Sequence, residues 1–202
     1  MLRLVWTRPG RKDTWITTVS GRKIAPFDPK PEQFEISDLA HSLSRQCRFG
    51  GHIEPFYSVA QHSVYVMRAT KLSMAKYWGL MHDASEAVIT DLPTPIKRYI
   101  PDYEAAEDKI QRVISRRFHI PRGPTVDAAV KEADTLLLCW EAYTLHPDPM
   151  SMNFLKRLAG RVPKGTLRDL DPQFRCWSPD EAKARFLAEF AEISPFVTAE
   201  AA

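Results

Sequence analysis

Apolar residues recur at helical spacing through most of this chain and alternate with polar residues only near its start. The alternating stretch TWITTVSGRKIAPF turns on Ser20 and Gly21, which predicts a short β-hairpin at about residues 13–27. Apolar positions three and four residues apart predict helices near residues 58–70, 73–89, 101–118 and 125–146. The pattern therefore predicts an all-α bundle preceded by one small hairpin.

Three further helices complete the predicted bundle. Ser37 can cap the first of them, and a short helix is expected at about residues 154–158. The sequence SPDE beginning at Ser178 has a capping serine and a proline at the first helical position, which predicts a helix to about residue 193. We expect one domain, with a helical metal-binding core at about residues 36–146 and a helical extension at about residues 150–193.

Two ionisable residues interrupt the inner face of the helix predicted at residues 73–89. They are His82 and Asp83, in the stretch KYWGLMHDASEAVIT. Neighbouring residues of a helix point about 100° apart, so an adjacent His and Asp can reach one ion from the same turn. His62 also faces inward on its own predicted helix, between Val59 and Val66. A single inward histidine is most often a hydrogen-bonded core residue, so the metal interpretation depends on the set.

A further carboxylate stands in the strongly apolar helix AVKEADTLLLCWEAY. Asp134 shares one side of that helix with Val130 and Leu137, and a buried ionisable group needs a partner. A divalent ion bound by His62, His82, Asp83 and Asp134 would satisfy every one of these placements and leave positions for water and substrate. We expect one divalent ion, with Co, Mn, Zn, Fe and Mg as the candidates.

The order of His62, His82-Asp83 and Asp134 resembles the H…HD…D signature of the HD superfamily of phosphohydrolases. The likeness extends through CRFGGHIEPFYSVAQHSVYV, HDASEAVITDLPTPIKRYIPDYEAAEDKI and VKEADTLLL, and covers about residues 36–146. These stretches are similar to the branch that contains bacterial 5'-deoxynucleotidases and phage deoxyadenosine triphosphate phosphohydrolases. The resemblance implies an HD-domain helical bundle that hydrolyses phosphate esters with a divalent metal ion.

The same resemblance implies catalytic roles for Glu86 and Asp91. Glu86 comes four residues after His82, one helical turn on, so its carboxylate can hold or deprotonate the attacking water. Asp91 follows in TDLPTP at the predicted end of the helix, where it could protonate a leaving alkoxide or help to place the water. Asp is equally typical of loops that end a helix, and the sequence leaves both roles open.

Five residues are expected to bind the substrate on the same grounds: Arg48, Phe49, Gly51, His52 and Lys97. In the family an Arg-aromatic pair contacts phosphate and stacks near the nucleoside, and Phe49 offers a stacking surface where many relatives have Trp. Prolines stiffen the loop before Lys97, whose ammonium could be aimed at a phosphate. Gly51 either shapes the base pocket or belongs to a flexible turn, and His52 either reaches the ligand or is a solvated turn residue.

Charge and composition limit the classes of molecule that are expected to bind this protein. The 202 residues include 28 basic and 25 acidic side chains, a net charge of +3, and the basic residues are dispersed. Dispersed charge argues against nucleic acid and favours a small-molecule deoxynucleotide. Three cysteines without a C-x-x-C motif, and no run of 18 uncharged apolar residues, predict a soluble cytoplasmic protein without a membrane partner. The relatives that the chain resembles assemble as dimers or larger rings, which implies a homo-oligomer.

The expected activity is metal-dependent removal of phosphate from a deoxyribonucleotide, and phage-type members of similar size imply a purine base. A 5'-deoxynucleotidase acting on monophosphates of any base is the alternative within the branch. Other HD branches hydrolyse cyclic dinucleotides or guanosine tetraphosphate, which would require a longer groove or a second set of ligands. The remaining alternative is a binding protein in which the ion only stabilises the structure. Such a protein would have no need of Glu86 beside an open coordination position.

Overall fold

The structure, a computed structural model, describes residues 14–158 and 160–194, so residue 13 of the predicted hairpin lies outside the described residues. Two short antiparallel strands, β1 (Ile16–Thr17) and β2 (Lys23–Ile24), pair Ile16 with Ile24 and Thr17 with Lys23. The chain reverses at Gly21, whose φ of +84° is in the left-handed region that glycine adopts without steric cost. The predicted hairpin is confirmed.

Helices joined by short 3-10 turns make up most of the remaining described chain. The α-helices are α1 (Ile36–Leu43), α2 (Val59–Ala69), α3 (Lys76–Met81), α4 (Glu86–Ile89), α5 (Thr94–Lys97), α6 (Pro101–Arg117), α7 (Pro124–Leu145), α8 (Asn153–Leu158), α9 (Leu167–Leu170) and α10 (Pro179–Ile193). The 3-10 turns are Pro31–Gln33, Arg48–Gly51, Ser73–Ala75 and Pro149–Ser151. This architecture confirms the all-α prediction.

Most of the predicted helices begin and end within two residues of their expected positions. These helices are α2, α6, α7, α8 and α10. At the start of α10, Ser178 Oγ accepts a hydrogen bond from Glu181 N. The prediction for Ser37 is wrong, because Glu35 is the N-cap of α1 and Ser37 lies inside the helix. None of the described helices is long and apolar enough to cross a membrane.

The second helix, α2, occupies the centre of the bundle. All its residues from 59 to 67 are buried, and it packs against α3, α7 and α10. A helix buried on all sides must give each polar side chain a partner. Gln61 bonds the backbone of Arg175 and Trp177, at 2.8 and 2.9 Å. His62, one residue later, is thereby held in the interior with its ring directed towards α3 and α7.

The continuous helix predicted at residues 73–89 is wrong, because α3 ends at Met81 and residues 82–85 form a turn before α4. In an unbroken helix, Ser85 N would donate to Met81 O. Instead the side-chain amide of Gln111, on α6, lies between these two groups. Its Nε2 donates to Met81 O and its Oε1 accepts from Ser85 N, each at 2.9 Å. The inserted amide opens the helical ladder at the position of His82 and Asp83.

Candidate metal centre

The turn between α3 and α4 brings His82 and Asp83 against His62 of α2. One ligand atom from each of the three residues lies within 4.8 Å of the other two. Asp83 Oδ2 is 3.5 Å from His62 Nε2, and Asp83 Oδ1 is 3.1 Å from His82 Nε2. Atoms that share one first-row ion at about 2.1 Å are themselves about 3 to 3.4 Å apart. His62, His82 and Asp83 could therefore hold a metal ion.

Hydrogen bonds on the far side of each imidazole set its orientation. His62 Nδ1 is 2.6 Å from Glu141 Oε1, and His82 Nδ1 is 2.9 Å from the carbonyl oxygen of Gly79. An acceptor at Nδ1 keeps a proton on that nitrogen, so Nε2 is the atom that binds an ion once it carries no proton itself. Both Nε2 atoms are buried without a hydrogen-bond partner among the described residues. Buried nitrogens of this kind require an explanation, and a metal ion provides one.

Asp134 of α7 lies at the edge of this three-residue cluster. Its Oδ1 is 3.5 Å from His62 Nε2 and 3.9 Å from His82 Nε2, so it faces both unpartnered nitrogens. Its Oδ2 accepts a hydrogen bond from Lys131 Nζ at 2.8 Å. The structure thus brings together the four residues that the sequence nominates as ligands, with Asp134 the most loosely placed of them.

Glu86 is the first residue of α4 and lies next to the cluster. The regular helical turn expected between His82 and Glu86 is not formed, because Glu86 N donates to Asp83 O in a tightened turn instead of to His82 O. The carboxyl group is nevertheless buried, and its Oε2 has no hydrogen-bond partner among the described residues. Burial, reinforced by the charges of Asp83 and Asp91, raises the pKa of Glu86 well above its ordinary value.

The pKa values of two neighbouring carboxyl groups, Asp83 and Glu86, are therefore shifted in opposite directions. Burial alone would raise the pKa of Asp83, but electrostatic attraction to the imidazole of His82, 3.1 Å away, outweighs it and lowers that pKa to about 2. Asp83 is ionised at neutral pH, as a metal ligand must be, while the raised pKa of Glu86 means that it keeps its proton to a higher pH than an ordinary carboxyl group does. Environments that push two carboxyl pKa values apart are typical of sites that use one as acid or base and the other as a fixed charge.

Asp91 lies where α4 gives way to the loop that leads to α5. The preceding residue, Thr90, has a φ of +70°, uncommon for a β-branched side chain. Asp91 N donates to Gln46 Oε1 at 3.2 Å, and Gln46 Nε2 donates to Glu86 O at 2.9 Å. Gln46 thus ties the start of α4 to the loop after it. Burial raises the pKa of Asp91, although Arg48 opposes the shift.

Arg48 is buried beside the candidate ligands. Its Nη2 is 3.1 Å from Glu141 Oε2, and its Nη1 is 3.6 Å from Asp83 Oδ2. Burial disfavours the charged guanidinium, but Glu141 and Asp83 outweigh this effect and raise the pKa of Arg48. Arg48 N also donates to Tyr57 O at 2.8 Å, which fixes the backbone next to α2.

Phe49 follows in a strained backbone conformation. Its φ of +56° lies in the left-handed region, which costs a bulky residue about 1 to 3 kcal/mol. Its ring lies near the guanidinium of Arg48, 5.8 Å from the centroid. Backbone strain of this size persists only where surrounding contacts impose it, and such residues cluster at functional sites.

The other three predicted substrate-binding residues lie at the rim, with no hydrogen bond or ion pair to the cluster among the described residues. Gly51 has the positive φ expected of it, +80°. His52 is exposed. A Cβ built on Gly50 would contact both His52 and Pro93, so this turn lies against the loop before α5. The Nζ of Lys97 is bonded to Glu107 of α6, an acceptor that an anionic ligand would have to displace.

A cavity of about 420 Å³ opens beside His82, within the size range of small-molecule pockets. Its walls come from α3, α6, the turn after α3 and the loop after α6. The guanidinium of Arg122 lies 3.8 Å over the ring of Trp78 at this cavity. The lining residues are Trp78, His82, Ser85, Glu107, Asp108, Gln111, Arg112 and Arg122. The cavity gives a small ligand room next to the candidate metal centre.

Sequence analysis missed Glu141, the fully buried carboxylate that contacts both His62 and Arg48. The signal for its burial was present. Glu141 comes seven residues after Asp134 in an apolar helix, two turns along, so the two carboxylates share one face. Gln46 and Gln111 were also missed, and no local pattern distinguishes them from surface glutamines.

Replacing Gln111 by Leu should weaken both the fold and the metal centre. Ser85 N would lose its partner and Met81 O would keep only the bond from Ala84 N, and a buried group left unsatisfied costs about 1 to 3 kcal/mol. If the two groups instead bonded each other, the turn carrying His82 and Asp83 would tighten into a helix. We expect a lower melting temperature and weaker Co²⁺ binding by isothermal titration. Gln173→Leu, on the exposed surface, is the matched control, and identical behaviour of both variants would contradict the role of Gln111.

Metal affinity should depend on pH through His62. Burial and Arg48 lower the pKa of this imidazole, but Glu141 and Asp134 outweigh them and raise it to about 9. The ring therefore holds a proton at neutral pH that an incoming ion must displace. Because one proton is released per ion, the apparent Co²⁺ affinity should rise about tenfold per pH unit below pH 9 and level off above it. Titrations between about pH 6.5 and 9.5 measure this slope, and a flat profile would contradict it.

Comparison with known proteins gives two relatives of nearly the same length, while no family model matches the chain. The chain is 36% identical over 181 residues to the uncharacterized protein YfdR of Escherichia coli (strain K12), covering 90% of this chain and 96% of YfdR. It is 31% identical over 188 residues to an uncharacterized protein of Rhodobacter capsulatus, covering 88% of this chain and 94% of that protein. The similarity thus extends over nearly the whole of each chain.

Proposed function

The chain belongs to the same family as Escherichia coli YfdR, and we propose that it is a divalent-metal-dependent phosphohydrolase that removes phosphate from deoxyribonucleotides. One observation carries the proposal. Two buried imidazole nitrogens that have no hydrogen-bond partner in the described part of the chain face the carboxylates of Asp83 and Asp134, with the carboxyl of Glu86 and the guanidinium of Arg48 beside them. The resemblance to the HD superfamily supplies the reaction class that this set of groups would serve.

His62, His82, Asp83 and Asp134 would hold the ion, with Co, Mn, Zn, Fe and Mg as candidates. When bound, a divalent ion lowers the pKa of water and offsets the negative charge of the phosphoryl oxygens. Two imidazoles and two carboxylates would leave room in its coordination shell for ligands other than protein. A site with only a structural task would be closed by protein ligands.

Glu86 is the residue proposed to move the proton. Its raised pKa brings proton exchange closer to neutral pH, where general acid-base catalysis is most effective. Glu86 would accept the proton of the attacking water. Asp91, whose pKa is also raised, would return a proton to the departing 5'-oxygen. The division of the two tasks follows the roles that the resemblance implies.

Two cations are proposed to bind the phosphate. Arg48 is already held beside Asp83, with its buried Nε unpartnered among the described residues, so it can stabilise the spreading charge of the phosphoryl group. Lys97 would exchange Glu107 for a phosphate oxygen. The cavity beside His82 would receive another part of the nucleotide, and a purine deoxynucleotide is proposed from the resemblance to phage-type enzymes.

The test is an assay of the protein, stripped of metal and resupplied with Mn²⁺, Co²⁺, Mg²⁺ or Zn²⁺, against deoxy- and ribonucleoside mono-, di- and triphosphates. Ion-exchange chromatography of the products identifies the bond that breaks. Consumption of a deoxyadenosine nucleotide supports the proposal. Release of orthophosphate from deoxynucleoside monophosphates of every base would indicate a broad 5'-deoxynucleotidase, and no turnover with any metal would refute the hydrolase proposal.

A further inference from the structure

Glu141 of α7 is a fully buried carboxylate with three side-chain partners on two other segments. Its Oε1 accepts hydrogen bonds from His62 Nδ1 at 2.6 Å and from the hydroxyl of Tyr57 at 2.9 Å. Its Oε2 accepts one from Arg48 Nη2 at 3.1 Å. An ionised group with no exposed surface is costly unless it is paired and hydrogen-bonded, and here the positive charge of Arg48 pairs it.

Arg48 has a second carboxylate within reach. Its Nη1 is 3.6 Å from Oδ2 of Asp83, the same oxygen that lies 3.5 Å from His62 Nε2. The guanidinium therefore lies between two carboxylates. Glu141 is at hydrogen-bond distance, and Asp83, a candidate metal ligand, is slightly farther away. If the charge of Glu141 were removed, the buried cation would have Asp83 as its nearest anion and would move towards it.

We propose that Glu141 is a positioning residue that orients His62 and draws Arg48 towards itself, so that the guanidinium stays 3.6 Å from Asp83 instead of forming a closer ion pair with this metal ligand. Its first effect is exerted through a hydrogen bond to the far side of the imidazole, and carboxylates bonded in this way orient metal-ligating histidines in many metal sites. Its second effect is electrostatic and prevents Arg48 from competing with the ion for Asp83. The part of the inference that concerns anion binding rests on the proposed function, whereas the part that concerns metal binding does not.

Glu141→Gln is the first variant because it keeps the shape of the side chain and removes the charge. The amide oxygen can still accept from His62, but the amide nitrogen would face Arg48, donor against donor. Loss of the hydrogen-bond partner of a metal-ligating histidine typically costs about 10- to 100-fold in metal affinity, and we expect a decrease of that size for Co²⁺ by isothermal titration. Tyr57→Phe removes a different hydrogen bond from the same carboxylate and should leave Co²⁺ affinity near that of the wild type.

The double variant Arg48→Met, Glu141→Gln separates the positioning role from a general loss of stability. Without Arg48, its guanidinium cannot compete for Asp83, so Co²⁺ affinity should recover by about tenfold relative to Glu141→Gln alone. A merely structural role predicts losses that add, with the double variant no better than the worse single variant. Additive losses, or wild-type Co²⁺ affinity in Glu141→Gln, would overturn the proposal.

Two further measurements keep the inference falsifiable. If Glu141→Gln does not fold, Glu141→Asp keeps the charge but shortens the side chain, which should weaken its bond to His62 and lower Co²⁺ affinity, and wild-type affinity would refute the positioning role. Inorganic phosphate binding to Co²⁺-saturated protein should weaken in Glu141→Gln because Arg48 is displaced, and unchanged phosphate affinity would refute the second effect. If the Co²⁺ results hold but the wild type hydrolyses no nucleotide, the role of Glu141 stands and the hydrolase proposal fails.

Discussion

Glu86→Gln is expected to lose most of the turnover while the metal centre stays intact. The amide keeps the shape of the buried carboxyl but cannot accept or return a proton. General acid-base catalysis by one side chain is typically worth about 10² to 10⁴ in rate, so kcat should fall by a factor in this range. The loss should appear in steady-state assays with saturating Co²⁺ and the best nucleotide from the substrate panel, with metal content measured on the same samples.

Glu104→Gln provides the matched control for this variant, because it makes the same change at an exposed position of α6. The control should keep wild-type kcat. Glu86→Gln should also be no less stable than the wild type, because burial raises the pKa of the native carboxyl and so penalises its charged form at neutral pH. Wild-type turnover in Glu86→Gln would remove Glu86 from the proton-transfer role.

Asp134→Asn is expected to weaken metal binding by at least about 100-fold, more than the loss of an outer-shell partner. The amide has nearly the same shape as the carboxylate but lacks the charge that faces the two imidazole nitrogens. Titration of metal-stripped protein with Co²⁺ measures the affinity directly, without depending on any substrate. Turnover should fall in parallel at limiting Co²⁺ and recover partly at high Co²⁺.

Asp127→Asn is the control for Asp134→Asn, because Asp127 lies on the same helix and is paired with Arg122 instead of facing the imidazoles. It should bind Co²⁺ with wild-type affinity. If Asp134→Asn also retains wild-type affinity and stoichiometry, the ion is held by His62, His82 and Asp83 without it. That result would reduce the proposed ligand set to the three residues whose ligand atoms lie closest together.

The local spacing of apolar residues was enough to predict the long helices and the hairpin. In α7, Val130 and Leu137 recur at helical spacing on the side of Asp134, and the structure places that side against α2 and α3. The same spacing predicted that His62 lies on the inner face of α2, and in the structure its ring faces Asp134. Helical periodicity carries this information because it depends only on residues within a few turns of each other.

Contacts between distant segments could not be read from local spacing. The break after Met81 is made by Gln111, which is 30 residues further along the chain, and the HD pair itself gives no sign of it. Arg48 is buried by its pairing with Glu141, 93 residues away. The expected phosphate-binding role of Lys97 stays a prediction, since its Nζ is bonded to Glu107. Side-chain pairing of this kind is decided by tertiary packing, which no periodic pattern encodes.

Orthophosphate release from a deoxynucleotide before and after removal of bound metal tests the central claim most directly. The protein is treated with a chelator, dialysed, and assayed with deoxyadenosine mono- and triphosphate while Co²⁺ is added back in measured steps, and triphosphate products are separated to detect longer phosphate units. The account predicts no turnover after chelation and recovery in proportion to bound Co²⁺, reaching its maximum at about one ion per chain. Full turnover in the chelated protein, or none at one bound ion per chain with any deoxynucleotide, would contradict it.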